Sequence, residues 1–424
     1  MCHQGRTGSA RKLNNWTRPT LKKNALQLGY STNVHPGEDM KAVYRSLKDY
    51  TLPIRKRVFG TEPCGLELRL GIGSAKQLSS RKARLEFRDF LQDSGLVLFS
   101  VNAYPLSDFH ARRVKETVYQ PSWAQPQRAS WTARIARIVD EVAPEGIKVS
   151  ISTLGGCFRG HGHGPTVFRK LATHYLKALE AFLEINDGGG RQMVLAVEPE
   201  PETTFETAAD VISFFEDYLL PAAFTRWKKR GPKSRIEADL RSVFTVNIDT
   251  CHLSVLFEDQ VSNLRQLQRA GLELGKVHVT NAVALKNPFR SPMAFRDLRN
   301  MNEPRYFHQF CGCDEDGQAV WRGTDLDQLP AKLKRGTHPD ISEIRSHFHV
   351  PLYLKKYRHL HTTRDDTERA LIEVIKQRSC SHLVFETYTW PILAGGKKRK
   401  QKLINGITRE YRWLLETVEK LSAR

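Results

Sequence analysis

The sequence predicts an α/β fold, a (β/α)8 TIM barrel with an insertion before its last strand, and three observations predict it. Short β-rich runs alternate with amphipathic helical stretches, eight such runs can be counted, and several of them end on a carboxylate. Alternation of β and α implies a parallel sheet. Eight parallel strands close into a barrel whose chemistry sits at the C-terminal strand ends. The 424 residues, 40% hydrophobic and 26% charged, can bury a sizeable core, so a disordered chain is excluded.

The β-rich runs are 26–33, 64–71, 96–103, 148–153, 193–198, 243–249, 276–280 and 383–387. Between the fourth and fifth, Phe168, Leu171, Tyr175, Leu176, Leu179, Phe182 and Leu183 recur at helical spacing, with Pro165 placed to start the helix. They form one stripe that faces the sheet. The segments 205–220, 260–270, 363–377 and 403–421 repeat this pattern, and 76–91 is a more polar helix without internal Pro or Gly.

The rhythm breaks once. His278 and Phe385 are separated by more than twice the spacing found between other strand centres, so an insertion lies there, placed at 284–340. A further β-like run over 347–352 is either an accessory strand or the true seventh, with 276–280 then accessory. The organisation expected is a basic, disordered tail over 1–25 and a barrel over 26–424 that carries the insertion.

The net charge of +20 attracts anions at long range without naming one. It is concentrated in the tail, in 227–235 and in 397–402, runs that read as solvated tail and loops. No charge-free stretch reaches the roughly 20 residues a bilayer requires, and the tail lacks the apolar core of a secretory signal. Seven scattered cysteines make no disulfide framework. A reducing, cytoplasmic setting is expected.

The strand ends carry the chemistry. The fifth run closes Glu198-Pro-Glu200-Pro-Glu202, the sixth closes Asp249-Thr-Cys-His252, and the eighth closes Glu386-Thr-Tyr-Thr-Trp390. Buried carboxylates at three neighbouring strand ends repel one another unless a cation sits among them. Candidate nitrogen ligands are His278 in the seventh run and His347 and His349 in the His-Phe-His run. Carboxylates with imidazole suit Mn, Zn, Mg, Fe or Co and do not choose between them. His35, Asn102, Tyr104 and His110 follow the first and third runs as candidates to line a polyol pocket. His161 or His163, in a Gly-His-Gly-His-Gly loop that opens a helix, could cradle an anion.

Together, Tyr30-Ser-Thr-Asn-Val-His-Pro-Gly-Glu38, Phe99-Ser-Val-Asn-Ala-Tyr-Pro105, Val114-Lys-Glu-Thr-Val-Tyr119, Ser150-Ile-Ser-Thr153, Glu198-Pro-Glu-Pro201, Asp249-Thr-Cys-His252, His347-Phe-His-Val-Pro351, Thr362-Thr-Arg-Asp-Asp366 and Glu386-Thr-Tyr-Thr-Trp390 carry a family likeness. With them the chain, from Leu28 to Trp413, resembles the xylose isomerase-like TIM barrel superfamily of sugar phosphate isomerases and epimerases and endonuclease IV-type enzymes. Within it the chain resembles the EboE group of bacterial "metabolite traffic" proteins.

The resemblance implies a metal site of the order Glu, Asp, His, Glu on successive late strands. Glu198, Asp249 and Glu386 match three positions, and the nitrogen ligand is His278, His347 or His349. It implies proton transfer beside a carbonyl by Glu198 and Glu386, with His252 as a substrate contact beside the metal; position in the chain adds His347, His35, Asn102, Glu200 and His163 as substrate-binding candidates. The substrate class implied is a small hydroxy-carbonyl metabolite, sugar-like or phosphorylated. Other proteins of one envelope pathway are the partners implied. The alternatives are a non-catalytic carrier or scaffold on the same barrel and, behind it, an endonuclease IV-like enzyme. Against nucleic acid stands the lack of aromatic residues interleaved with the basic runs.

Overall fold

The computed structural model describes residues 26–422, so the tail expected over 1–25 lies outside the described residues. Eight parallel strands form the central sheet. They are β1 (Gln27–Tyr30), β2 (Cys64–Arg69), β3 (Leu96–Asn102), β4 (Lys148–Leu154), β5 (Gln192–Glu198), β6 (Phe244–Asp249), β7 (Leu274–Val279) and, late in the chain, β14 (His382–Phe385). Each expected run overlaps one of them. Their order runs β1-β14-β7-β6-β5-β4-β3-β2, and a parallel bridge from Ser31 to Glu67 joins the two ends. The sheet is therefore a closed (β/α)8 barrel with helices outside.

Glycine makes the closure feasible. A Cβ at Gly65 of β2 would stand 2.3 Å from the Leu28 carbonyl oxygen of β1, and one at Gly29 would stand 2.9 Å from the Phe99 ring. No other residue fits where these strands approach.

The helix Pro165–Asp187 buries Leu171, Tyr175, Leu176, Leu179, Phe182 and Leu183 as its spacing requires. The helix expected over 76–91 is instead two, Ile72–Gln77 and Arg81–Asp93, because Ser80 takes extended backbone (φ −74°, ψ 128°) ahead of the second. No helix among the described residues is long and apolar enough to cross a membrane.

Between β7 and β14 the chain builds a second, six-stranded antiparallel sheet. Its strands are β8 (Asn281–Lys286), β9 (Phe310–Cys313), β10 (Ala319–Gly323), β11 (Glu343–Val350), β12 (Lys356–Tyr357) and β13 (Leu360–Thr362), in the order β10-β9-β11-β8-β13-β12. The open choice at the seventh position is thereby decided. The run at 276–280 belongs to barrel strand β7, and His347 and His349 sit on accessory strand β11. Val283, Leu285, Phe310, Ile344, Phe348 and Val350 give this sheet its own apolar core. It covers the barrel mouth with β11.

Candidate metal centre

Four side chains converge at the C-terminal mouth of the barrel: Glu198 ending β5, Asp249 ending β6, His278 in β7 and Glu386 just after β14. One ligand atom from each lies within 4.8 Å of all the others, and all four residues are buried. His278 Nδ1 is 3.0 Å from Glu198 Oε1 and 3.8 Å from both Asp249 Oδ2 and Glu386 Oε2.

Three of the four ligands are aimed by partners outside the cluster. Asp249 caps the helix Thr250–Val255, its Oδ1 accepting from the main-chain N–H groups of Cys251 and His252 and from the Thr280 hydroxyl. That leaves Oδ2 fully buried with no hydrogen-bond partner. Glu386 Oε1 accepts from the side-chain amides of Asn33 (2.6 Å) and Asn102 (3.0 Å), which directs Oε2 to the centre. His278 Nε2 donates to Glu67 Oε1 at 3.3 Å, and Nδ1 then faces the three carboxylates. A carboxylate behind a histidine fixes its tautomer and raises its basicity as a ligand.

The electrostatics fit a cation. Burial and the Lys276 ammonium favour a neutral His278, but the Glu386, Glu198 and Glu67 carboxylates outweigh them and raise its pKa well above the usual imidazole range. Burial pushes Glu386 up to about 7, opposed by His278 and reinforced by the Glu198 and Asp249 charges. Glu198 and Asp249 go down despite burial, Glu198 through His278 and Asp249 through His252. A proton and a divalent cation thus compete for the same lone pair. The donor set, three carboxylates and one imidazole with an orphaned Asp249 oxygen, fits a divalent cation.

The cavity over this centre has a polar floor of Asn33, Asn102, Glu198, His252, His347 and Glu386, and an aromatic wall of Phe109, Tyr306, Phe307 and Tyr388. Lys115 also lines it, already paired with Asp325. Glu200 lies at the edge, its carboxylate accepting from the Tyr104 and Tyr119 hydroxyls. Burial raises its pKa despite His252.

Of the sequence-derived candidates, Glu198, Asp249, His278 and Glu386 meet in one cluster, with His252, His347 and His349 beside it and Asn102 and Glu200 in the pocket. Two stand apart. His35 is turned into the core, with Nε2 3.0 Å from the Tyr30 hydroxyl and its ring stacked on Tyr50 at 4.3 Å. His163 is exposed and lies edge-on to Phe168. Glu67, Asn33 and Tyr388 did not emerge from the sequence as site residues. For Glu67 a signal existed: a lone acid between Leu66 and Leu68 in a barrel strand must face the interior.

The basic runs are partly neutralised. Arg230 and Arg235 both pair with Asp239, and Lys400 pairs with Asp49. The six cysteines among the described residues are all buried and free.

No family model matches this sequence, and no curated protein sequence matches it. Solved structures do. A xylose isomerase-like TIM barrel protein from Mycobacterium smegmatis in complex with magnesium is 10% identical over 95% of this chain and 99% of its own, with a TM-score of 0.49. The probable 3-DHS dehydratase AsbF of Bacillus anthracis is 12% identical over 92% and 98%, with a TM-score of 0.45. The IOLI protein with a bound zinc atom is 10% identical over 93% and 99%, with a TM-score of 0.44.

Proposed function

We propose that this chain is a metal-dependent isomerase or epimerase acting on a small, sugar-like hydroxy-carbonyl metabolite. The convergence of Glu198, Asp249, His278 and Glu386 at the polar floor of the cavity carries this reading. A divalent cation bound there supplies Lewis acidity to adjacent substrate oxygens, worth several kcal/mol of charge stabilisation.

The chain's own residues do the rest. Glu198 and Glu386 carry the proton away from and back to the carbon beside the carbonyl, general acid–base work typically worth 10²–10⁴-fold. Asn33 and Asn102 hold Glu386 in place through its Oε1. His252 and His347 face the substrate's hydroxyls from the floor, and the wall of Phe109, Tyr306 and Tyr388 excludes water. Lys115, the one cationic Lys or Arg among the lining residues, is already neutralised by Asp325. The pocket therefore suits a neutral polyol better than a phosphorylated one.

Membership of the metabolite-traffic group and a cytoplasmic setting are part of this proposal, supported by the motifs quoted above and by the free cysteines. The test is solvent deuterium exchange into a panel of ketoses and hydroxy ketones, followed by NMR on untagged, metal-loaded protein. Exchange into at least one of them, abolished in Glu198→Gln and Glu386→Gln, is expected. Tight binding of a panel member with no exchange would instead make the barrel a carrier.

A further inference from the structure

The two sides of the cavity over the metal centre differ in the hydrogen bonds they have left to give. Four tyrosines line it, and each hydroxyl already donates to a protein oxygen. Tyr104 and Tyr119 both donate to the Glu200 carboxylate, and Tyr119 also accepts from the Gln309 amide at 2.9 Å. Tyr306 donates to the Phe109 carbonyl at 2.9 Å, and Tyr388 to the His347 carbonyl at 3.4 Å. The main chain that covers the cavity is engaged in the same way. The N–H groups of Val114 and Lys115 donate to the Arg305 carbonyl at 2.7 and 2.8 Å, the Tyr104 N–H donates to Asn102 Oδ1 at 3.1 Å, and the Tyr104 carbonyl accepts from Arg128 at 2.7 Å. The Lys115 ammonium is paired with Asp325 and lies over the Phe307 ring at 5.6 Å.

What the wall presents is therefore hydrocarbon. Phe109 and Tyr306 have ring centroids 4.9 Å apart, Tyr306 and Tyr388 5.0 Å apart, and with Val114 these rings form an apolar cluster separate from the barrel core. The floor is the reverse. Asn33 Oδ1 is buried there without a hydrogen-bond partner, beside the carboxylates of Glu198 and Glu386. A polyol carries hydroxyls at both of its ends, and those set against the wall would give up water with no donor to replace it. An unsubstituted ring incurs no such cost, and it can stack offset or edge-on against the wall's own rings.

We propose that the metabolite is a ketol with a bare ring, its hydroxyl and carbonyl oxygens at the metal centre and an unsubstituted aromatic or alicyclic ring against Phe109, Tyr306 and Tyr388. The inference deepens the function proposed above and rests on that reading for the ketol end alone. The division of labour follows the fold. Barrel strand ends supply the floor that handles the reacting oxygens, whereas Phe109 comes from the connection after β3 and Tyr306 from the insertion ahead of β9. The insertion thereby takes part in choosing the substrate.

The experiment compares three ketols that share one hydroxymethyl ketone end: L-erythrulose, 1-hydroxy-2-butanone and 2-hydroxyacetophenone. The first two have the same four-carbon chain and differ only by two hydroxyls. Solvent deuterium exchange at the hydroxymethyl carbon is followed by NMR on metal-loaded wild type, and binding is measured by calorimetry. Exchange should be fastest with 2-hydroxyacetophenone and slowest with L-erythrulose, with kcat/KM at least about tenfold apart, since a single methylene in an apolar pocket is worth about 10–200-fold. Phe109→Ala, with a melting curve as folding control, should narrow that ratio. Exchange into L-erythrulose as fast as into 2-hydroxyacetophenone would overturn the bare ring and leave the proposed function standing. Tighter binding of 2-hydroxyacetophenone than of L-erythrulose, with no exchange into any of the three, would keep the ring and overturn the isomerase reading. Neither binding nor exchange with all three would overturn both.

Discussion

Two layers of the barrel interior bury charge in opposite ways. Below the mouth, Glu67 and Lys276 form an ion pair with both side chains fully inaccessible, and Glu67 Oε2 also accepts from Ser100 while Lys276 donates to Ser152. The network extends through Ser150 to His382. At the mouth, Asp249 Oδ2 and His349 Nε2 have no partner, and four ligand atoms of the centre crowd together without a donor for each. The orphaned atoms at the mouth converge on one point, which is what fits a ligand there, and Glu67 links the layers by holding His278 from below.

Breaking the lower layer should have the largest effect. Lys276→Met strands the Glu67 charge, whose pKa Lys276 and His278 together hold far down against burial, and a loss of about 3–5 kcal/mol in denaturant unfolding is expected. In the double variant with Glu67→Gln, the loss should be smaller than the sum of the single losses, because the partners are coupled.

The upper layer should respond in the opposite sense, through its ligand. Saturating metal at about a thousand times its Kd should stabilise the wild type by about 4 kcal/mol. Asp249→Asn should fold, since an amide oxygen can still cap the helix Thr250–Val255, yet its melting temperature should not move with added metal. A metal-induced rise of the same size in the Asp249→Asn variant would contradict the cluster.

A third buried carboxylate sharpens the contrast. Glu410 accepts from the Thr387 hydroxyl, the Trp390 indole and the Leu352 main-chain N–H. Burial, only partly offset by those bonds, raises its pKa from 4.5 to about 7. The folded state then holds a proton that the unfolded chain releases, so its contribution is present below about pH 4.5 and is lost as pH rises through 7. A fall of about 3 kcal/mol between pH 4.5 and 8 is expected from this group, and urea titrations of Glu410→Gln should lack that slope. The smallest effect is the most diagnostic: Glu67→Gln should weaken metal affinity by about 10–100-fold through loss of His278 orientation, read by competition with a chromogenic chelator.

How much of this was legible depends on the distance over which each feature is determined. Strand positions and the 165–187 helix follow from local periodicity and appear within three residues of expectation. Glu198, Asp249 and Glu386 were readable because each ends an apolar run, and a strand end in a barrel has only one place to be. His278 could not be separated from His347 and His349 by sequence, since all three sit in β-like runs. His35 looked like a pocket residue by position, but the Tyr30 hydroxyl and the Tyr50 ring hold it in the core.

The sequence by itself determined the alternation of strands and helices, the eight-strand count and the acids at the strand ends, because pattern and propensity act over a few neighbouring residues. Only the tertiary structure decided that Glu67 and Lys276 would neutralise each other across the barrel and that His347 and His349 would approach Asp249 from an accessory sheet. Those contacts join residues far apart in the chain, and their energies depend on burial and on which oxygen each ring nitrogen meets, quantities that exist only once the barrel has closed.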